Sequence, residues 1–345
     1  MGLNIVVPDG SMKLKVMELF GKAGLPIRFE AERSNIGKVD VQWISQVVFE
    51  RPQEIPDFMA EGYFDVAIAG EDWLADCNLG FPTLLSMAIG RKSNRAVNII
   101  MAVSKENPAQ TPNDLPSKSI VATEYARLAE KFFRIIDRPD IIIKPSYGNT
   151  EAKIRYGTDG IIDVTETGSS LEANGLKIIG TIMKSNTVII ANPKSLEDEK
   201  KWLKIDWFAR LIEGAYIASV YMGITANVPE TLLDRAAKII GGLKGPTRAP
   251  LHGPEGWYAL NSFVPKKEWD LISFELLQIG VEDIVPTWEI PCVMRSMVKI
   301  PEFSQNDCEG IGPCLACIRW EQFGGKCMGI TLLKDPPYDC YVPGL

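Results

Sequence analysis

Gly160-Ile161-Ile162-Asp163-Val164-Thr165-Glu166-Thr167-Gly168-Ser169-Ser170-Leu171, continuing as Glu172-Ala173-Asn174-Gly175-Leu176, is the stretch whose reading decides the fold. It predicts a short apolar strand that ends in an acidic residue, a loop of Thr, Gly and Ser, and one helical turn stopped by Asn174-Gly175. Such a loop can cradle an anion. Backbone N–H groups freed by Gly168, the hydroxyls of Thr167, Ser169 and Ser170, and the start of the helical turn can all face one phosphate. The competing reading makes Thr167 or Ser169 an ordinary helix N-cap.

Working outward, the segments before the loop alternate between strand and helix. Leu3–Val7 is a buried-type strand, broken by Pro8-Asp9-Gly10 and followed by a helical pattern from Lys13 to Ala23 that Gly24 ends. Val39–Phe49 is rich in β-branched and aromatic residues, Asp57–Glu61 is helical, and Asp65–Gly70 is a strand running into the acidic loop Glu71-Asp72. A second series holds strands at Ala96–Val103, Ser119–Ala122 and Ile141–Pro145, with helices at Tyr125–Ile136 and Thr150–Arg155. The βαβα order predicts an α/β fold with mainly parallel sheets, and Thr187–Ala191 is expected to return to the first series. Two lobes joined by crossing chain place a ligand in the cleft between them. The expected bounds are 1–95 with 181–215 for lobe I and 96–180 for lobe II.

Residues 216–297 follow another pattern, with strand-like Ser219–Ala226 and Trp257–Val264, helical Pro229–Ile240 and Lys266–Gln278, and extended Glu282–Val285 and Thr287–Val293. That order suits a small α+β module of the split-βαβ, ferredoxin-like kind. Residues 298–345 are rich in Gly, Pro and Cys with little periodicity, a Cys-rich tail. Within it Cys308-x5-Cys314-x2-Cys317-x9-Cys327 offers four thiolates for zinc or an iron–sulfur cluster, with free or disulfide-bonded thiols as the alternative.

Composition excludes several functions. The chain has 345 residues and a formal net charge of −7, so no global positive field attracts nucleic acid. No apolar run reaches the length of a membrane span, and the N-terminus lacks a basic n-region, so a cytoplasmic protein is expected. With one histidine, His252 in an apparent loop, a Ser/His/Asp hydrolase is disfavoured.

The residues also resemble a family. Asp159 to Leu176, with Glu151 before it, is similar to the phosphoribosyl-pyrophosphate loop of the ATP phosphoribosyltransferases of histidine biosynthesis. Arg51-Pro52-Gln53, Gly62 with Asp65, Gly70 with Asp72, and Ala122-Thr123-Glu124-Tyr125 match that family in order, and Lys244-Gly245-Pro246-Thr247, the Trp257–Val264 strand and Gly280 resemble the regulatory domain of its long form. The resemblance implies transfer of phosphoribose from phosphoribosyl pyrophosphate to N1 of ATP, with Mg²⁺ as cofactor. It implies a two-lobed region like periplasmic binding proteins, an ACT-like C-terminal domain, histidine as an inhibitor, and a dimer or hexamer.

Carried onto this chain, the resemblance makes Asp163 and Glu166 catalytic. Asp163, Thr165, Thr167, Gly168, Ser169 and Ser170 take phosphoribosyl pyrophosphate, and Arg51, Asp72, Arg91 and Glu151 take nucleotide or pyrophosphate. Asp163 and Glu166 would repel a phosphate they touched, so they are expected to face ribose hydroxyls or Mg²⁺. Arg51 as a solvated strand-end charge and Asp72 as a helix cap are the competing readings. One departure bears on the acceptor: the family's Pro-Lys-Gly-Arg is replaced by Pro8-Asp9-Gly10-Ser11, a change of two charge units where Lys becomes Asp. Lys13 or Lys15 is the candidate substitute. The alternatives are a phosphoribosyltransferase with another acceptor, or a non-catalytic ligand-sensing paralogue.

Overall fold

The computed structural model describes residues 2–287, apart from 32–33, 91–93, 243–244 and 254. The candidate thiolates Cys308, Cys314, Cys317 and Cys327, and also Arg91, lie outside the described residues. In chain order the first part runs β1 (Leu3–Pro8), α1 (Lys13–Lys22), β2 (Arg28–Phe29), β3 (Ile36–Lys38), β4 (Ile44–Glu50), α2 (Ile55–Glu61), β5 (Val66–Gly70), α3 (Glu71–Cys77) and β6 (Thr83–Met87). It continues with β7 (Val97–Ser104), β8 (Ile120–Thr123), α4 (Ala126–Ile135), β9 (Ile142–Pro145), β10 (Gly160–Thr165), α5 (Ser169–Ala173), β11 (Leu176–Ser185), β12 (Thr187–Ala191), α6 (Pro193–Glu197) and α7 (Glu199–Val220).

Two mixed sheets result, not the mainly parallel ones expected, because β2–β3, β3–β4, β5–β12, β12–β6, β7–β10 and β7–β11 pair antiparallel. The first has the order β2-β3-β4-β1-β5-β12-β6, with β1 parallel to β4 and β5 and β12 antiparallel to β5. β1, β5 and β12 are continuous apolar runs because both faces of these strands are covered. The second sheet has the order β11-β7-β10-β8-β9, and β10 pairs antiparallel with β7 and parallel with β8. On β10 the side chains alternate faces: Ile161 joins a cluster with Ala122 and Leu171, whereas Ile162 joins Tyr125, Leu128 and Phe133 on the other side. Both sheets lie in one compact unit, Met1–Glu18 with Ile27–Ala209.

The second unit, Leu19–Pro26 with Arg210–Arg295, contains β13 (Tyr221–Pro229), α8 (Leu233–Ile240), β14 (Thr247–Pro250), β15 (Trp257–Pro265), α9 (Trp269–Gln278) and β16 (Glu282–Thr287). Its antiparallel sheet has the order β14-β15-β13-β16. Val228, Leu260, Val264 and Leu276 form its core. Among the described residues no helix is long and apolar enough to cross a membrane.

Three local expectations change. Glu71-Asp72 open helix α3 instead of forming a loop, because acidic side chains suit a first helical turn. The helix expected at Thr150–Arg155 is present as the tighter 3-10 kind, Thr150–Tyr156, bounded by left-handed Asn149 and Gly157. β11 is a strand in a segment without a strand prediction, and its register shifts near Ile178/Gly180 and Thr181/Met183 break the regular alternation a strand would show.

Candidate active site

The strand ends assemble the site. In α/β sheets ligands sit beyond the carboxyl ends of the parallel strands, and a cavity of about 80 Å³ lies there, lined by Pro8 at the end of β1, Pro52 after β4, Gly70 of β5, Gly90 beyond β6, and Val164 of β10. Residues of both sheets thus face one another across it. Asp72, Trp73, Tyr125 and Ser185 complete the wall.

The 163–170 segment leaves β10 and turns at Gly168, whose φ of +77° is the left-handed conformation that a side chain disfavours. Gly168 is the N-cap of α5 and has no side chain to cap it, and the Ser169 N–H makes only a long contact, 3.5 Å, to Thr167 Oγ1. The hydroxyls are instead ordered among themselves. Gly168 N–H donates to Thr165 Oγ1 at 2.9 Å, and the Thr167 and Ser169 hydroxyls lie 3.0 Å apart. Ser170 Oγ donates to Glu151 Oε1 at 2.7 Å. Glu151, on the 3-10 turn, is therefore brought to the loop. Asp163 Oδ1 accepts the Val164 N–H at 2.7 Å.

Glu166 reaches the other sheet's side of the cleft. A Cβ placed on Gly90 would lie 2.6 Å from the Glu166 carboxyl carbon and 2.7 Å and 3.0 Å from its oxygens. The carboxylate therefore rests against the bare Cα of a buried glycine just beyond β6. No residue pattern in the chain marks Gly90 as a partner of Glu166; only the tertiary fold brings them together.

Asp72 is 6% exposed and both its oxygens are occupied. Ser185 Oγ donates to Oδ1 at 2.7 Å and Tyr125 Oη donates to Oδ2 at 2.6 Å, while the Asp72 N–H donates back to Ser185 Oγ at 3.1 Å. Trp73 packs on Tyr125 with ring centroids 4.4 Å apart, and the Leu128 N–H donates to Asp76 Oδ1 at 2.8 Å. Helix α3 is thereby tied to α4 and to the β11–β12 crossing. Glu71 accepts the Asn186 N–H at 2.8 Å. Burial raises the pKa of Glu71, the Asn186 amide opposes the shift, and the Asp72 charge adds to it. Burial likewise raises Asp76, against the Leu128 amide.

Arg51 follows β4 and is exposed, and its side chain makes no hydrogen bond or ion pair with a described residue. Lys13, the candidate replacement for the missing cations, is engaged: its Nζ lies 3.3 Å from Asp9 Oδ1 and sits over the Phe29 and Phe49 rings at 5.0 Å and 4.8 Å from their centroids. Lys15 lies 3.8 Å from Glu18. His252 is exposed on a bend. Among the described residues no three His, Cys, Asp or Glu side chains converge as a metal cage.

Residues 51–214 match the family model described as HisG: ATP phosphoribosyltransferase, and residues 218–288 match that of the HisG C-terminal domain. The ATP phosphoribosyltransferase 1 of Geobacter sulfurreducens is 33% identical over 284 residues, covering 82% of this chain and 96% of that protein. The ATP phosphoribosyltransferase of Chlorobium luteolum is 33% identical over 282 residues, covering 82% and 94%. Among solved structures, a chain of the ATP phosphoribosyl transferase (HisG:HisZ) complex from Thermotoga maritima aligns with a TM-score of 0.53 at 21% identity, covering 62% of this chain and 98% of that one, a likeness of fold.

Proposed function

The chain belongs to the ATP phosphoribosyltransferase family, and from that premise we propose how its residues divide the work of moving phosphoribose from phosphoribosyl pyrophosphate to N1 of ATP. That transfer, which releases pyrophosphate, is the first step of histidine biosynthesis. Its transition state is oxocarbenium-like, so the protein must position two substrates and stabilise departing negative charge rather than supply a strong base.

The observation that carries the assignment is the turn at Gly168, whose glycine N-cap brings no side chain to the first-turn amides. Its first-turn amides have no intrahelical acceptor, and the Thr165, Thr167, Ser169 and Ser170 hydroxyls surround them, so this segment takes the 5′-phosphate. Glu151 acts by holding Ser170 in place. Asp163 and Glu166 lie one either side of Val164-Thr165 and face the ribose hydroxyls. They also fit Mg²⁺, which characteristically takes one or two carboxylates together with substrate phosphates rather than a full protein cage. Held by these carboxylates, such an ion would supply charge neutralisation for the leaving pyrophosphate.

Arg51 and Arg91 supply cations for ATP or pyrophosphate, because a guanidinium fork matches phosphate oxygens. Asp72 serves the same half of the reaction indirectly, by fixing α3 through Ser185 and Tyr125. The Asp9–Lys13 pair removes a cation from the first-strand loop, and this observation favours a second reading in which another acceptor replaces ATP. The first unit corresponds to two lobes of periplasmic-binding-protein type. The strand order of the second unit supports a ferredoxin-like, ACT-like domain, to which we assign histidine sensing within a homo-oligomer. The Cys-rich tail is assigned a structural zinc ion or iron–sulfur cluster, which metal analysis of anaerobically purified protein tests.

Incubation with phosphoribosyl pyrophosphate, Mg²⁺ and ATP, following pyrophosphate release and adduct absorbance, decides the catalytic reading. Turnover with ATP supports it, turnover only with another acceptor supports the second reading, and binding without turnover refutes both in favour of a ligand-sensing role.

A further inference from the structure

A second cavity, of about 310 Å³, shares no lining residue with the first. Its floor is Ala122 of β8, its outer wall is Lys144 of the edge strand β9, and Lys153, Tyr156 and Tyr147 flank it. Ala122 and Lys144 are register partners on adjacent parallel strands, so both side chains stand on the same face of the sheet, the face that Ile154 of the 3-10 turn covers. The volume falls at the lower end of the range for small-molecule sites.

Three features of this cavity are unexplained by folding. Neither Lys144 nor Lys153 makes an ion pair or hydrogen bond through its ammonium group with a described residue, yet both line one cavity. Thr158, also in the lining and 7% exposed, carries a buried hydroxyl with no hydrogen-bond partner. A buried polar atom left unpaired costs stability, and a water, ion or ligand that enters the cavity restores the bond. Tyr147 and Tyr156 present 93% and 75% exposed side chains beside these cations. The carboxylates of the surrounding loops are already engaged: Glu124 accepts the Gly148 N–H at 2.8 Å, Asp159 accepts the Ile120 N–H at 2.7 Å, and Glu151 accepts from Ser170.

We propose that this cavity is a binding site for a phosphate monoester bearing a flat ring. The Lys144 and Lys153 ammonium groups neutralise the dianion through charge-assisted hydrogen bonds, Thr158 gains a partner, and the ring lies against Tyr147 or Tyr156. The site is separate from the phosphoribose loop, whose own hydroxyls it does not use.

The test is calorimetric titration of the full chain with phenyl phosphate and, in parallel, inorganic phosphate. The wild type is expected to bind phenyl phosphate more tightly than inorganic phosphate. Lys144→Gln with Lys153→Gln is expected to weaken that binding by about tenfold or more while leaving turnover unchanged. Thr158→Val is expected to weaken it by about threefold with a Tm no lower than wild type, because an unpaired hydroxyl is replaced by a methyl group of the same shape. Ser170→Ala, on the loop, is expected to leave it intact. The inference is overturned if the wild type shows no binding, if the isotherm is unchanged in the lysine variant, or if Ser170→Ala abolishes it instead.

Discussion

Replacing Gly90 by Ala probes the reaction without touching a reacting group. The glycine is buried and its φ is not positive, so its backbone accepts a side chain without strain. The added Cβ would lie 2.6 Å from the Glu166 carboxyl carbon, whereas ordinary contact begins at 3.4 Å. What gives way is the carboxylate, the far end of a flexible side chain, and it must retreat by about 0.8 Å. Misplacing a positioned group by about 1 Å costs on the order of a hundredfold in rate, which is about 2.7 kcal/mol of barrier. Steady-state pyrophosphate release should therefore show kcat reduced by about a hundredfold in Gly90→Ala, with thermal stability near wild type. If the effect runs through Glu166, the double variant Gly90→Ala/Glu166→Gln should be no slower than Glu166→Gln alone. A kcat within about threefold of wild type, or additive losses in the double variant, refutes the placement of Glu166 at the reacting centre.

Other outcomes follow from the same contacts. Asp163→Asn should lower turnover far more than stability, and a retained rate would remove Asp163 from catalysis. Tyr125→Phe deletes the 2.6 Å hydrogen bond to buried Asp72 and should cost about 2 kcal/mol in denaturant unfolding; no loss would mean that Asp72 is satisfied without it. Asp65 and Glu71 should show opposite pH signatures. Burial pushes Asp65 up, but the Asn4 amide, Lys201 and Ser195 outweigh it and hold the folded pKa below the ordinary value. Its stabilisation is present above the usual carboxylate range and lost as pH falls through that depressed value, so Asp65→Asn should flatten the acid limb of a stability–pH curve. Glu71, raised by burial, does the reverse: its contribution is fully present below the usual range and lost as pH rises through the raised value. Glu71→Gln, which still accepts the Asn186 N–H, should therefore gain stability at about pH 7.5 and change little at about pH 4; an equal effect at both would contradict the burial argument.

The parts of this fold legible in the sequence are those with local causes. Ile161-Ile162 alternate across a strand, Gly168 and Gly175 supply left-handed turns at φ +77° and +70°, and Gly62 ends α2 at φ +84°. Each is dictated by its own residues. β11 was hidden because its bulges scramble the period-two signal. The helix beginning at Glu71 was hidden because acidic residues after a strand-end glycine suit a loop and a first turn equally well. The acidic and hydroxyl residues of the site, the family they resemble and the α/β class were all present in the one-dimensional chain.

Which of those groups is available depends on long-range contacts. Asp72 reads as a strand-end ligand, yet Ser185, 113 residues further on, and Tyr125, 53 residues further on, occupy both its oxygens. Glu151 is drawn to Ser170, and Lys13, the cation that would restore the lost charge, is held by Asp9 beneath two phenylalanine rings. The chemical types and the turns that expose them follow from the chain alone, because side-chain identity and backbone freedom are local properties. The fold decided which carboxylates and ammonium groups are left with unfilled hydrogen-bonding capacity, because that depends on partners brought together from distant parts of the chain.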